Sequence, residues 1–198
     1  MDNGRQYGSG SNSARLLGGQ VASIVSRTKH QSFIVADIET TGLSPFNHEI
    51  VELAALRVSP TGQVLEQFEC LVQVKQRIPP RIEELTGITQ IMVEQSGKPL
   101  PIALHGFLSF VGTAPMFFHN ASFDRGFIVR AVGEIGLELT NPVHCTLNIA
   151  RKAWPHLESH RLESLATFLD LSIPRHRALD DARTALGVLM AARAMIEQ

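Results

Sequence analysis

Features that would assign this chain to a membrane or secreted class are missing from its 198 residues. No run of about 18 apolar residues occurs, so we expect no transmembrane helix and no membrane partner. The first residues do not join a basic start to an apolar segment, so we expect no secretory signal and a cytoplasmic location. The 44% apolar content is still typical of a globular protein with a sizeable core.

Cysteine is also scarce, since only Cys70 and Cys145 occur and they are far apart in sequence. Neither belongs to a CxxC pattern, which excludes the common cysteine-based zinc and redox motifs. We expect both to be buried thiols in a reducing compartment. A zinc-protease site is equally unsupported, because the sequence HEIVE at 48–52 lacks the second histidine of the HExxH pattern.

An excess of positive charge is missing as well, because the formal net charge is −1. Residues 1–30 carry four basic residues and one acidic residue, a charge of +3, which leaves −4 for residues 31–198. Such a body should bind duplex nucleic acid only weakly by charge alone. A dense stripe of basic and aromatic residues that would stack long single strands is also missing. Contact with nucleic acid would therefore be local or carried by metal ions.

The chain divides by composition into an arm and a domain. Residues 1–30 are rich in Gly, Ser, Asn and Gln with little periodicity, which predicts a flexible N-terminal arm. Residues 31–198 are expected to form one domain. Within it, β-like runs on short connections at 33–43, 49–58 and 64–74 predict a three-stranded antiparallel meander.

The pattern after the meander predicts helices and one further strand, hence an α/β or α+β sheet covered by helices. A short apolar run predicts the strand at 114–118. Apolar spacing and turn residues predict helices at 80–85, 99–111, 123–135, 145–154 and 162–171, and a last one from Arg177 or Ala178 almost to the end.

The first strand ends in two acids, Asp37 and Glu39. They are two residues apart, so their side chains point to the same face if the strand continues to Glu39. Adjacent carboxylates repel each other unless a positive charge lies between them. Taken alone, the motif supports equally a strand that runs into a polar loop and one half of a divalent-metal site.

Three residues further along could complete such a site. Asp124 and Asp181 each lie in the first turns of an expected helix, where a lone acid is typically favoured by the helix dipole. His176, taken alone, is typical of a surface loop. Together, four acids at a strand end and two helix starts offer the oxygen ligands that Mg²⁺ or Mn²⁺ prefer. Two such cations about 3.5–4 Å apart can support phosphodiester hydrolysis.

Three motifs in this sequence resemble those of the DEDDh 3′→5′ exonucleases. That family includes the proofreading epsilon subunit of bacterial DNA polymerase III and ribonuclease T. The resemblance runs from about Phe33 to Ile196. It implies an α/β, ribonuclease H-like fold whose mixed five-stranded sheet joins the three-strand antiparallel meander to parallel strands and is flanked by helices. The motifs are Asp37-x-Glu39-Thr-Thr-Gly, His119-Asn120-x-x-Phe123-Asp124 and His176-x-Ala178-x-x-Asp181.

The resemblance also implies a role for each matching position. Two divalent cations, Mg²⁺ or Mn²⁺, would be held by four carboxylates, and His176 would be the general base. Leu43 resembles an apolar wedge set against the last base, and Glu39 would meet the terminal sugar hydroxyl. Backbone near Thr40 and Thr41 would meet the last nucleotide. The implied ligands are Asp37, Glu39, Asp124 and Asp181.

The function expected from the resemblance is release of nucleoside 5′-monophosphates from a single-stranded or frayed 3′ end of DNA, in proofreading or repair. An RNA-trimming or oligoribonucleotide exonuclease is the alternative, because no residue is identified that would read a 2′-hydroxyl. A non-catalytic nucleic-acid-binding subunit is disfavoured by the intact acid set. The chain stops at Gln198, so we expect no C-terminal polymerase-binding tail. Any association with a DNA polymerase would use its surface or the N-terminal arm.

Helix phase separates Asp181 from its neighbour Asp180. Each helical residue turns about 100°, so Ala182, Ala185, Leu186, Leu189 and Ile196 form one stripe within about 60° of Ala182. Asp181 lies roughly 80° from the centre of that stripe, at its edge, and Asp180 about 180° from it. The sequence therefore predicts that Asp181 reaches the site and that Asp180 faces solvent.

Overall fold

The chain folds around one mixed sheet in the computed structural model, which describes residues 31–197. The expected arm at 1–30 lies outside the described residues. The strands follow the spatial order β3-β2-β1-β4-β5. The pairs β1–β2 and β2–β3 are antiparallel, and β1–β4 and β4–β5 are parallel, which confirms the meander and the mixed sheet. Their bounds are β1 Phe33–Thr40, β2 Ile50–Val58, β3 Val64–Leu71, β4 Met116–Phe118 and β5 Val143–Cys145.

Helices cover both faces of this sheet. Among the described residues, no helix is both long enough and apolar enough to cross a membrane. The first helix, expected at 80–85, ends at Thr86, and Gly87 follows it with a φ of 69°, which glycine adopts without strain. The helices are α1 Pro80–Thr86, α2 Gln90–Ser96, α3 Leu100–Val111, α4 Ala121–Glu134, α5 Thr146–Ala153, α6 Leu162–Phe168 and α7 Ala178–Ile196.

Strand β1 is buried on both faces because helices pack on both sides of the sheet. Phe33 and Val35 belong to an apolar cluster with residues of β2, α5, α6 and α7. Ile34, Ala36 and Ile38 belong to a cluster on the opposite face, with residues of α3 and α4. Full burial of each large apolar side chain contributes about 1.5–3 kcal/mol. The two clusters hold the strand, and hence its acidic end, in a rigid frame.

Helix α2 was not expected from the hydrophobic pattern. Four of its seven residues are polar and Val93 alone is buried, so the sequence QIMVEQS shows no clear apolar face. Its start is stabilised locally, because the Thr89 side chain accepts the N–H of Met92. The structure thus adds a helix to the segment that links α1 to α3.

The prediction for Cys145 was wrong in part. Cys145 ends the short strand β5, which the sequence did not place, and its side chain is half-buried, whereas Cys70 is buried as expected. Strand β3 is also shorter than expected, because it ends at Leu71 and Val72 forms a single parallel bridge to Lys98.

Candidate active site

The carboxyl end of β1 carries Asp37 and Glu39 on the face that α7 covers. The strand continues to Thr40, so both half-buried side chains share that face. The pairing with β2 becomes irregular between Glu39 and Thr40, and the chain then turns through Gly42. A Cβ atom on Gly42 would lie 2.4 Å from the ring of His48, so a larger residue here would have to displace that ring.

Two helix starts bring Asp124 and Asp181 to the same end of the sheet. Asp124 lies in the first turn of α4 and is only 2% exposed. Helix α4 follows Asn120, whose left-handed φ of 65° is tolerated by asparagine better than by most residues. Asp181 lies in the first turn of α7 and is 7% exposed. Its Oδ1 accepts the N–H of Arg175 at 3.0 Å, which orients the carboxylate.

These side chains form one cluster. One ligand atom each of Glu39, His176 and Asp181 lies within 4.8 Å of the other two. Asp37 and Asp124 adjoin this group, because the charges of Asp124, Glu39 and Asp181 all raise the pKa of Asp37. The structure thus brings together a strand end, two helix starts and the loop before α7.

Burial raises the pKa of all four carboxyl groups, and repulsion by the other acids of the cluster adds to the rise for Asp37 and Glu39. The pKa of Glu39 is raised to about 8, first by burial and then by the charges of Asp181, Glu52 and Asp124. Burial raises the pKa of Asp124 to about 8 and that of Asp181 to about 6, although backbone hydrogen bonds oppose part of the change. The pKa of Asp37 rises well above its ordinary value, again mainly through burial. A site of this kind holds protons unless cations take their place.

The donor set fits hard divalent cations. Clustered carboxylates offer oxygen atoms alone, which is typical of Mg²⁺ or Mn²⁺ sites rather than of zinc sites. The raised pKa values of Glu39 and Asp124 show that burial disfavours the charged form of both groups. A divalent cation would favour that charged form.

His176 lies beside these acids in the loop before α7. Its φ is 54°, a left-handed conformation that is costly for a residue other than glycine. Its side chain is 39% exposed, and its Nε2 lies 3.9 Å from Oε1 of Glu163. The ring is therefore open to water while it remains next to the carboxylate cluster.

Glu52 was missed by the sequence analysis. It lies on β2 directly opposite Glu39 and has no exposed surface. Its carboxylate accepts Nε and Nη2 of Arg177 at 3.1 and 2.6 Å and the N–H of Ala178 at 2.8 Å. A lone charged residue within an otherwise apolar stretch of strand was the available signal, but the partner is 125 positions away.

The turn directly after β1 exposes the apolar side chain of Leu43, which is 85% exposed, and Phe46 further along the same loop is 76% exposed. Thr40 and Thr41 before Leu43 are buried and fixed by hydrogen bonds. The Thr40 Oγ1 donates to the carbonyl of Gly42 at 2.7 Å, and the Thr41 N–H donates to the carbonyl of Glu49 at 2.8 Å. The turn is thus rigid behind an exposed tip.

Asp180 and Asp181 occupy different surroundings on α7. The Asp180 side chain is about half exposed and lies 3.7 Å from the guanidinium of Arg183. Thr184 and Val188 are buried together with the expected stripe, so the buried face of α7 is wider than predicted. Asp181 consequently lies within this face and not at its edge.

Comparisons with known proteins point to one family. The model of the family described as "Exonuclease" matches residues 34–189. A DNA polymerase III PolC-type of Clostridium perfringens is 40% identical over 159 residues, which are 79% of this chain and 11% of that protein. A second PolC-type, of Halalkalibacterium halodurans, is 40% identical over 153 residues, 76% of this chain and 10% of that protein. The chain thus spans about a tenth of the length of these relatives.

Solved structures show the same fold. Exonuclease X in complex with 5′ overhanging duplex DNA superposes with a TM-score of 0.65 and 26% identity, over 82% of this chain and 90% of that chain. Exonuclease I superposes with a TM-score of 0.78 and 18% identity, over 85% of this chain and 43% of that chain. The sheet and its helices thus have the arrangement seen in these exonucleases.

Proposed function

This chain belongs to the exonuclease family, and on that premise we propose that it is a metal-dependent 3′→5′ exonuclease that acts on DNA. The observation that carries the proposal is the cluster of four carboxylates, whose pKa values are all raised by burial and, for Asp37 and Glu39, also by the charges of the other acids. Buried carboxylates this close together reduce the stability of a protein, and groups with strongly shifted pKa values are concentrated at functional sites. Its place beside His176 suits hydrolysis at a phosphodiester.

The ligands in this proposal are Asp37, Glu39, Asp124 and Asp181. Two bound divalent cations, Mg²⁺ or Mn²⁺, would offset the negative charge of the attacked phosphate and of the leaving oxygen and would activate the attacking water. The Asp181 carboxylate has one oxygen engaged by the Arg175 N–H, which leaves the other free to bind.

His176 acts as the general base in this proposal. A neutral ring nitrogen of His176 would accept the proton of the attacking water, and the nearby Glu163 carboxylate would stabilise the imidazolium that results. Its exposed position allows the ring to pass the proton on to solvent. General base catalysis of this kind is worth roughly 10²–10⁴-fold in rate.

The substrate contacts follow from the turn after β1. Exposed Leu43 would pack against the last base, and Glu39 would accept the terminal sugar hydroxyl. Backbone near Thr40 and Thr41 would meet the last nucleotide. The Thr41 N–H already donates to the carbonyl of Glu49, so other backbone groups of the turn would make the contact with the last nucleotide.

DNA is favoured over RNA as the substrate because the relatives are DNA polymerases and the Exonuclease X structure contains duplex DNA with a 5′ overhang. The polymerase relatives also support a role in proofreading. In that role the enzyme would remove mismatched 3′ nucleotides and associate, at least transiently, with a polymerase.

The test compares 3′-labelled DNA and RNA oligonucleotides of one sequence in Mg²⁺, in Mn²⁺ and in excess chelator. We expect release of labelled 5′-mononucleotide from DNA in either metal and none in chelator. Circular single-stranded DNA, which has no 3′ end, should survive. Faster loss of the RNA label would favour RNA trimming, and binding without cleavage of either strand would favour a non-catalytic subunit.

A further inference from the structure

The loop that carries His176 is held from the sheet side by a buried ion pair. We propose that Glu52 and Arg177 are positioning residues, which fix His176 in reach of the attacking water although neither touches the substrate. The inference rests on the proposed function. It adds Glu52, a residue of β2, to the residues that determine kcat. None of the three sequence motifs includes Glu52.

The contacts of Glu52 span the junction between the loop and α7. Both of its oxygens lie within 3.2 Å of Nε of Arg177, and Oε1 accepts Nη2 as well. Its Oε2 also accepts the N–H of Ala178, the first residue of α7. A carboxylate with these donors is fully engaged by protein groups, so Glu52 has little capacity left to bind a metal.

Helix α7 depends on this contact for its start. Arg177 is the N-cap residue and its side chain does not cap the helix, so the free N–H of Ala178 is satisfied by Glu52 of β2. His176 precedes Arg177 directly and has a left-handed φ of 54°. A residue in that conformation persists only when its surroundings hold it. The Glu52–Arg177 pair is such a restraint on one side of His176, and the hydrogen bond from the Arg175 N–H to Asp181 is another on the other side.

Glu39 and Glu52 have the same side chain but different surroundings. The two residues face each other across β1 and β2. Glu52 has Arg177 as its positive partner, whereas Glu39 has an acidic surrounding and belongs to the cluster with His176 and Asp181. Direct hydrogen bonds to Glu52 thus fix the position of the Arg177 guanidinium.

The experiment is a double-mutant cycle on the full chain, with kcat and KM measured on a 3′-labelled single-stranded DNA. Arg177→Gln should lower kcat roughly 10- to 100-fold, the cost of a displaced catalytic group, with KM within about twofold. In the His176→Ala background the same change should lower kcat less than about threefold, because the positioned group is already absent. Arg177→Lys should recover part of the lost kcat.

The matched control is Arg57→Gln, which breaks another Arg–Glu pair of β2. Arg57 Nε lies 3.0 Å from Oε2 of Glu66, and Nη2 also donates to the carbonyl of Phe110, both far along the strand from the site. This variant should keep kcat within about twofold of wild type even where its melting temperature falls. If Arg177→Gln does not fold, Glu52→Gln, which keeps an acceptor for the Ala178 N–H, replaces it in the cycle.

Equal losses of kcat in the two backgrounds, or a loss confined to KM, would overturn the inference and leave the pair a purely structural contact. So would a His176→Ala variant with unchanged kcat. An inactive wild-type protein in Mg²⁺ and Mn²⁺ would instead refute the proposed function itself. The two failures are thereby distinguished.

Discussion

The two faces of strand β1 end differently. On the face covered by α3 and α4, apolar side chains continue to Ile38 and all are buried. On the face covered by α7, they stop at Val35 and are followed by Asp37 and Glu39. Successive side chains of a strand point to opposite faces. Strand β1 is therefore apolar to its end on one face, whereas on the other face its apolar part is followed by two acids.

The two faces of β1 therefore contribute to different properties, the apolar face to stability and the acidic face to the proposed chemistry. The apolar face contributes free energy of unfolding, because its side chains leave water on folding. The acidic end reduces that free energy, because burial and repulsion disfavour its carboxylates, as the raised pKa of Glu39 shows. Substitutions on the two faces should therefore act on different measured quantities.

The largest effect is expected from Asp181→Asn, which removes one proposed metal ligand. We expect kcat to fall by roughly 10³-fold or more, since charge stabilisation by bound cations is worth several kcal/mol. The neighbouring change Asp180→Asn is the control and should leave kcat within about threefold, because Asp180 is half exposed and beside Arg183. Reversed effects would show that the third motif is misassigned, and His176 with it.

On the apolar face, Ile34→Ala should show the opposite profile. Ile34 is fully buried, so the loss of its side chain should cost about 2–5 kcal/mol in the free energy of unfolding, measured by urea denaturation. The kcat of the molecules that remain folded should stay within about twofold of wild type. A fall in kcat comparable to that of Asp181→Asn would mean that the two faces are not separable.

The acidic end should also make the stability of the metal-free protein depend on pH. Because the folded-state pKa values of Glu39 and Asp124 are raised to about 8, the folded state holds protons that the unfolded state has released. Its stability is therefore greatest in acid and falls as pH rises from about 4 through about 8. In chelator, the melting temperature should fall over this range, and Asp37→Asn should reduce the fall. Mg²⁺ or Mn²⁺ should raise the melting temperature more at high pH, and a flat profile in chelator would contradict the carboxylate cluster.

The smallest effect is expected at the tip of the turn beyond the acids. Leu43→Ala should leave the melting temperature unchanged, because Leu43 is 85% exposed. It should slow cleavage of a fully paired 3′ end a few-fold more than cleavage of a mismatched or single-stranded end, since unpairing costs a few kcal/mol. Leu65→Ala, at another exposed leucine on β3, is the control and should change neither rate. Equal slowing of all ends would show that Leu43 does not act as a wedge.

The meander and most helices could be predicted because their signals are local. A short apolar run marks β1, and apolar residues at helical spacing mark α3, α4 and α7. The signal fails where an element is short or polar. Strand β5 has three residues, and α2 buries only Val93, so neither has a pattern long enough to recognise.

The parts of the site that could not be predicted depend on contacts between distant residues. The pairing of Glu52 with Arg177 is created by the docking of α7 on the sheet, and no local pattern records it. The predicted stripe of α7 was too narrow for a related reason. Thr184 and Val188 are buried by the sheet and the loop before the helix, not by their own hydrophobic spacing.

The candidate site draws on the first strand and the last helix of the described domain. Asp37 lies near the start, and His176 and Asp181 lie close to the far end. Contacts between such distant segments form late, because the entropy of closing the long intervening chain must be overcome first. A chain still on the ribosome, or one shortened before His176, lacks both His176 and Asp181 of the proposed site. If the proposed site is correct, the order of the elements thus delays its assembly until synthesis and folding of the domain are finished.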